Sequence, residues 1–196
     1  VRIVASGTVT IKGKIQADGQ RGSAQYGGTG AGSGGSIWID TLKFAGTNGL
    51  VQANGGNTGS SGGGGGGRIA LTYDPAAQDL LPAPWVRFTA DGGTSVTKDV
   101  YFNVGNDGDL GTLFFADARF LASPVSHIGQ MIISNTTSLT TNSLIISNGT
   151  IRLMPAGFAL TVTGDVLLTS TGTLQMGVNN NNSTLQYLPN PQNNTT

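Results

Sequence analysis

Few residues in this chain are equipped for acid, base or nucleophilic chemistry. The ten acids are all Asp, and they stand against ten Lys and Arg, one histidine and no cysteine. Without cysteine there are no disulfides, thiolate metal sites or cysteine nucleophiles. A Ser-His-Asp arrangement would have to use His127, in Pro124-Val125-Ser126-His127-Ile128-Gly129, which carries no nucleophile-elbow pattern. That segment reads as a surface loop. Glycoside chemistry needs paired carboxylates at a defined separation. Asp40, Asp117 and Asp165 are scattered at a strand end, between strands and at a turn, and no two acids share an i, i+2 relation on a strand. Asp107 and Asp109 have that spacing but sit in the turn Gly105-Asn106-Asp107-Gly108-Asp109. Asn106, Asp107 and Asp109 make a weak Ca²⁺ candidate, since calcium accepts carboxylates and carbonyls in flexible geometry. Asx-Gly turn chemistry accounts for the same residues. The expectation is no catalytic residue, no enzyme activity and no cofactor beyond that weak calcium site.

Other ligand classes fare no better. The run Gly62 to Gly67 is followed by Arg68-Ile69 and not by Lys-Ser/Thr, and no helix follows to cradle a phosphate. The formal net charge is zero, so the basic stripe that nucleic acid requires is missing. No run of 18 apolar residues exists to insert as a membrane helix. Sequons place candidate glycosylation sites at Asn135, Asn148, Asn181, Asn182, Asn193 and Asn194, in a chain so rich in Asn, Ser and Thr that many arise by chance.

The elements that would position these residues are strands. Charged residues are 10% of the chain, against about 25% in an ordinary soluble domain. Thr, Ser, Asn and Gly take the places helix formers would fill. Ile15-Gln16-Ala17-Asp18-Gly19 recurs as Val51-Gln52-Ala53-Asn54-Gly55. Each copy leads through glycines into an apolar alternation, Ser36-Ile37-Trp38-Ile39-Asp40 and then Arg68-Ile69-Ala70-Leu71-Thr72-Tyr73. The copies are offset by 36 residues at their first strand and 32 at their second, so the glycine loop absorbs the difference, as loops of stacked repeats do. Glycines at matching points of two repeats predict stacked order over mere flexibility.

Residues 74–84 form a proline-containing connector. It divides glycine-rich repeats (1–73) from a run of short strands (85–178), and an Asn-rich polar tail follows (179–196). Between Ser143 and Gly177, Leu144/Ile146, Ile151/Leu153, Leu160/Val162, Val166/Leu168 and Leu174/Met176 are i, i+2 apolar pairs separated by short turns. Every third strand recurs after 22 to 23 residues, one turn of a three-sided coil; every second would give a flatter two-sided one. The fold class is therefore all-β, a parallel β-solenoid with glycine-rich loops, with an antiparallel β-sandwich or jelly roll as the alternative.

Gly34-Gly35-Ser36-Ile37-Trp38-Ile39, Gly65-Gly66-Gly67-Arg68-Ile69-Ala70-Leu71 and the paired phrases above resemble glycine-rich β-helical repeats of very large secreted bacterial proteins. Leu160-Thr161-Val162-Thr163-Gly164-Asp165-Val166 through Gly172-Thr173-Leu174 is similar to rungs of adhesin and autotransporter-passenger β-helices. The resemblance implies an extracellular or cell-surface structural, adhesive role and supplies no catalytic residues. In the tail, Leu185, Tyr187 and Leu188 could add a strand to a neighbour's open edge, and Val1 and Ile3 offer another edge. Self-assembly into a filament is expected. The alternative is a carbohydrate-binding or carbohydrate-processing β-helix, which a cluster of Asp and aromatic side chains in one exposed groove would favour; surface glycans are then the partner.

Overall fold

The computed structural model describes residues 1–23, 29–59, 61–95, 107–121, 126–134, 136–147, 149–154, 158–169, 171–176 and 184–187. Alternating apolar residues produce fifteen strands there: β1 (Arg2–Thr10), β2 (Lys14–Gln16), β3 (Ser36–Ala45), β4 (Thr47–Gln52), β5 (Arg68–Thr72), β6 (Trp85–Thr89), β7 (Thr112–Phe115), β8 (Gly129–Ile133), β9 (Ser138–Thr141), β10 (Leu144–Ser147), β11 (Thr150–Met154), β12 (Ala159–Val162), β13 (Val166–Thr169), β14 (Thr173–Met176) and β15 (Thr184–Tyr187). All pairings between them are parallel. The antiparallel alternative therefore does not describe these strands. Near Gly149, β10 and β11 do not fold back as a hairpin: β10 pairs with β13, and β11 with β8 and β14.

A seven-stranded sheet, in the order β1-β3-β5-β7-β8-β11-β14, runs through the whole molecule. In the first half the chain alternates between it and the sheet β2-β4-β6; in the second it visits β15-β12-β9 and then β10-β13 before returning. In the second half Leu144 pairs with Val166 and Ile151 with Leu174, so the period there is three strands, whereas in the first half every second strand pairs. One inward row passes from strand to strand as Ile37, Ile69, Leu113, Met131, Leu153 and Met176. The first five are buried, and burying each such side chain contributes about 1.5–3 kcal/mol.

The connector lies between strands that pair across it, β4 with β6. It contains one helical turn, α1 (Pro75–Gln78), with Asp74 as N-cap accepting from Ala77 N–H at 3.0 Å and proline at the first position. Gln78 is fully buried. Its Oε1 accepts from Phe44 N–H at 2.7 Å and its Nε2 donates to Phe44 O at 2.8 Å, so one side chain takes the place of a neighbouring strand. At the corner from β3 to β4, Asn48 takes a left-handed φ of 57° where the β4–β6 register slips.

The glycine segments are ordered. Residues 17–22, 53–58 and 89–95 form one layer, and 29–35, 62–67 and 107–111 a second. Within a layer, Gly19 and Gly22 donate to the Asn54 and Asn57 carbonyls, and Ala31 and Gly34 to those of Gly62 and Gly65. Between layers, Gly32 and Gly35 donate to Gln20 and Ala17, Gly64 and Gly67 to Gly56 and Ala53, and Gly108 and Gly111 to Gly93 and Ala90. Donors recur every third residue, the period of the left-handed polyproline II helix, which leaves every backbone group free for its neighbours. The descending acceptor numbers show that the two layers run antiparallel. None of these glycines takes a left-handed φ. Most of them are needed because a Cβ would strike backbone: at Gly55 it would lie 1.8 Å from Gly64 O, and at Gly93 1.8 Å from Gly56 O.

Candidate binding groove

The outward face of β2-β4-β6 carries the side chains that alternate with the buried Val51 and Phe88. Register places them in rows of three, Lys14-Leu50-Arg87 and Gln16-Gln52-Thr89. Where the strands pass into the first glycine layer, a third row follows, Asp18-Asn54-Asp91. Asp18 Oδ1 accepts from Asn54 N–H at 2.8 Å, and Asn54 Oδ1 accepts from Asp91 N–H at 2.9 Å. Asn57 repeats the motif one polyproline turn later, its Oδ1 accepting from Thr94 N–H at 2.8 Å. The other oxygen of Asp18 accepts from the Gln16 and Gln52 amides.

Two clefts on this face share Gln52 and Asn54. One, of about 540 Å³, is lined by Asp18, Arg21, Asn57, Asp91 and Thr94; the other, of about 460 Å³, by Asn48, Leu50, Trp85, Arg87 and Thr89. Together they form a groove that runs along the three strands from Trp85 towards Thr94, each cleft within the size range of small-ligand sites. Trp85 stands at one end with 53% of its surface exposed. Burial pushes the half-buried Asp91 carboxyl above its ordinary value, while the Gly92 amide and the charge of Arg87 pull it back. The Asp18 carboxylate receives donors from Gln16, Gln52 and the Asn54 backbone.

The residues expected from sequence to do chemistry lie elsewhere. Asp107 accepts from Ser95 N–H at 2.8 Å. Asp109 bonds Arg152 at 3.0 Å and is held below the usual carboxylate range, Arg152 outweighing its partial burial. No group of three His, Cys, Asp or Glu side chains able to hold a metal occurs among the described residues, and Asn106 lies outside them. Also outside are Asn135, Asn148, Asn181, Asn182, Asn193, Asn194 and Leu188.

His127 is not a surface-loop residue. It is wholly buried among Phe88, Phe115 and Phe120, with ring centroids 5.5, 6.0 and 6.0 Å away. Its Nδ1 accepts from Phe88 N–H at 3.1 Å. Burial pulls its pKa down to about 4; the Phe120 backbone opposes this and the charge of Arg87 reinforces it. The histidine is thus a neutral core residue.

Of the residues expected to serve assembly, Leu185, Tyr187, Val1 and Ile3 have partners within the chain. Leu185 and Tyr187 do lie on a strand, β15, but it pairs with β12 of the same molecule, Leu160 opposite Leu185 and Val162 opposite Tyr187. The Val1 amino group donates to Ser36 O at 2.6 Å, and Ile3 pairs with Ile39 and packs against the core.

Read locally, Asp91-Gly92-Gly93 has the composition of an isolated turn, which hides the groove from the sequence. Phe88-Thr89-Ala90-Asp91-Gly92 is a third copy of the Val51-Gln52-Ala53-Asn54-Gly55 phrase, stacked in register on it. Its signal was the retained Ala-Asx-Gly. No protein-family model, curated protein or solved structure matches the chain.

Proposed function

We propose that the chain is a length of parallel β-solenoid in an extracellular or cell-surface protein, with a structural and adhesive role that includes assembly with further copies into a filament or fibre. Catalysis has no part in this reading. The observation that supports it most is the inward row from Ile37 to Met176, which keeps its register through six strands of one sheet. Repetition of this kind makes a stiff body that contacts only its nearest coils and grows by adding more. Its ends carry strand edges that another coil, of the same chain or a second copy, must pair or cap. The glycine layers and the resemblance to secreted β-helical repeats point the same way.

Small-angle scattering and negative-stain microscopy test the reading. The expected particle is elongated, with filaments appearing as concentration rises. A radius of gyration near the roughly 16 Å of a compact domain of this length would overturn the rod. Strictly monomeric scattering at high concentration would overturn the filament.

A further inference from the structure

We propose that the groove over β2-β4-β6 binds an extended, uncharged polysaccharide lying along the strands, with Trp85 as its stacking platform at one end. The site does not depend on filament formation.

Its hydrogen-bonding groups identify the ligand. Asn54 and Asn57 commit their side-chain carbonyls to the backbone of the next coil. Their NH₂ groups then have no acceptor among the described residues and face a groove that both asparagines line. Asp91 presents a half-buried carboxylate that receives the Gly92 amide, and Gln52 retains its amide oxygen. The groove therefore offers fixed donors and fixed acceptors in alternation. A sugar hydroxyl, both donor and acceptor, satisfies either kind. The internal bonds hold Asn54 and Asn57 in place, so little rotamer entropy is lost on binding.

Charge and shape exclude the other classes. Asp18 and Asp91 are balanced by Arg21 and Arg87, so the groove attracts neither polyanion nor polycation, and a phosphate or uronate chain would face two carboxylates. An apolar peptide would strip water from the half-buried Asp91 and Asn54 without replacing it. Trp85, beside Leu50 and Asn48, offers a flat apolar surface bordered by polar groups, as the face of a pyranose ring requires. Along β6 the outward side chains Trp85, Arg87 and Thr89 recur about every 6.6 Å, twice the rise per residue, an extended array that suits a polymer better than a single small molecule.

The test is affinity electrophoresis of the whole chain in native gels containing hydroxyethyl cellulose, neutral arabinoxylan or galactomannan, with alginate as the charged control. At least one neutral polymer should retard the protein. Trp85→Ala should weaken that retardation about tenfold or more, the worth of a lost aromatic platform. Asp91→Asn should weaken it with the unfolding temperature unchanged. Trp38→Ala, removing the other exposed tryptophan on a different sheet, should leave it intact. Absence of retardation in every neutral gel, retardation by alginate alone, or equal losses for the two tryptophan variants would each overturn the proposal. Any of these would leave the rod and filament readings standing, since scattering measures those separately.

Discussion

Gly64 and Gly65 are neighbours in one glycine run, yet substituting alanine should have opposite effects at the two positions. A Cβ on residue 64 would lie 2.0 Å from Gly32 O and 2.6 Å from its carbonyl carbon, against an ordinary contact of 3.4–4 Å. Both atoms are backbone and cannot swing aside, so the neighbouring segments at Gly32 and Gly64 must part by more than about 1 Å, pulling Gly64 out of line with the other layer. That movement disrupts the bonds from Gly64 N to Gly56 O at 3.0 Å and from Gly93 N to Gly64 O at 2.8 Å. Buried groups left unpaired cost about 1–3 kcal/mol each, so Gly64→Ala should destabilise by about 3 kcal/mol or more. At residue 65 the nearest atom to an added Cβ is Asp109 O at 3.9 Å, and φ is not left-handed. Gly65→Ala should instead stabilise by about 0.4–1 kcal/mol, by restricting the unfolded chain. For a chain of 196 residues, where each kcal/mol shifts Tm by about 2–4 °C, the two variants should differ by about 8 °C or more in thermal unfolding followed by circular dichroism. Midpoints within about 2 °C of each other, or a lower Tm for Gly65→Ala, would refute the interlocked-layer argument. Should Gly64→Ala fail to fold, the rise for Gly65→Ala still tests it.

Because His127 is the sole histidine, its NMR titration is unambiguous and should show a midpoint near 4; a midpoint near 6.5 would mean the ring is solvated. Its folded pKa is depressed, so the associated stability is complete above pH 6.5 and is lost as pH falls from there to about 4, by roughly 3 kcal/mol; urea midpoints across that range measure it. Phe120→Ala should cost about 3–5 kcal/mol, since this ring touches Phe44, Phe88, Phe115 and Tyr73 at once; a loss under about 1 kcal/mol in denaturant titration would contradict a shared aromatic centre. Gln78→Ala strands the Phe44 N–H and carbonyl and should destabilise by about 2 kcal/mol or more, with accelerated hydrogen exchange at the Phe44 amide; unchanged protection there would show that α1 does not hold β3.

Much of the stacking was legible because repeated apolar pairs at fixed offsets leave few registers open. The pairings Ile15 with Val51, Ile37 with Ile69, Leu144 with Val166 and Ile151 with Leu174 all follow from it. The same method lost the third copy of the glycine phrase, since Phe88 and Thr89 replace Val51 and Gln52 and only Ala-Asx-Gly persists. His127 was misread because its surroundings are non-local: Phe88, Phe115 and Phe120 belong to different strands and turns, and the flanking Ser126 and Ile128 give no hint of them. The strand at Leu185 and Tyr187 was visible as an alternation, but nothing local distinguishes pairing with its own β12 from pairing with a neighbour. The groove followed the same rule. Asp18, Asn54 and Asp91 are unremarkable turn formers one at a time, and become a polar row only when the coils bring them into line.

The two glycine layers also bear on how the molecule responds to temperature. They are held by amide-to-carbonyl bonds between backbones that meet largely through glycine, so their unfolding exposes chiefly polar surface. Exposed polar surface lowers the heat capacity change, whereas exposed apolar surface raises it. The aromatic interior around Phe88 and Phe120 should give the usual sharply curved dependence of stability on temperature, and the layers beside it should flatten that curve. Cooling weakens hydrophobic burial but leaves the hydrogen-bonded lattice largely unaffected, so the glycine-rich half should resist cold better than its small apolar content suggests.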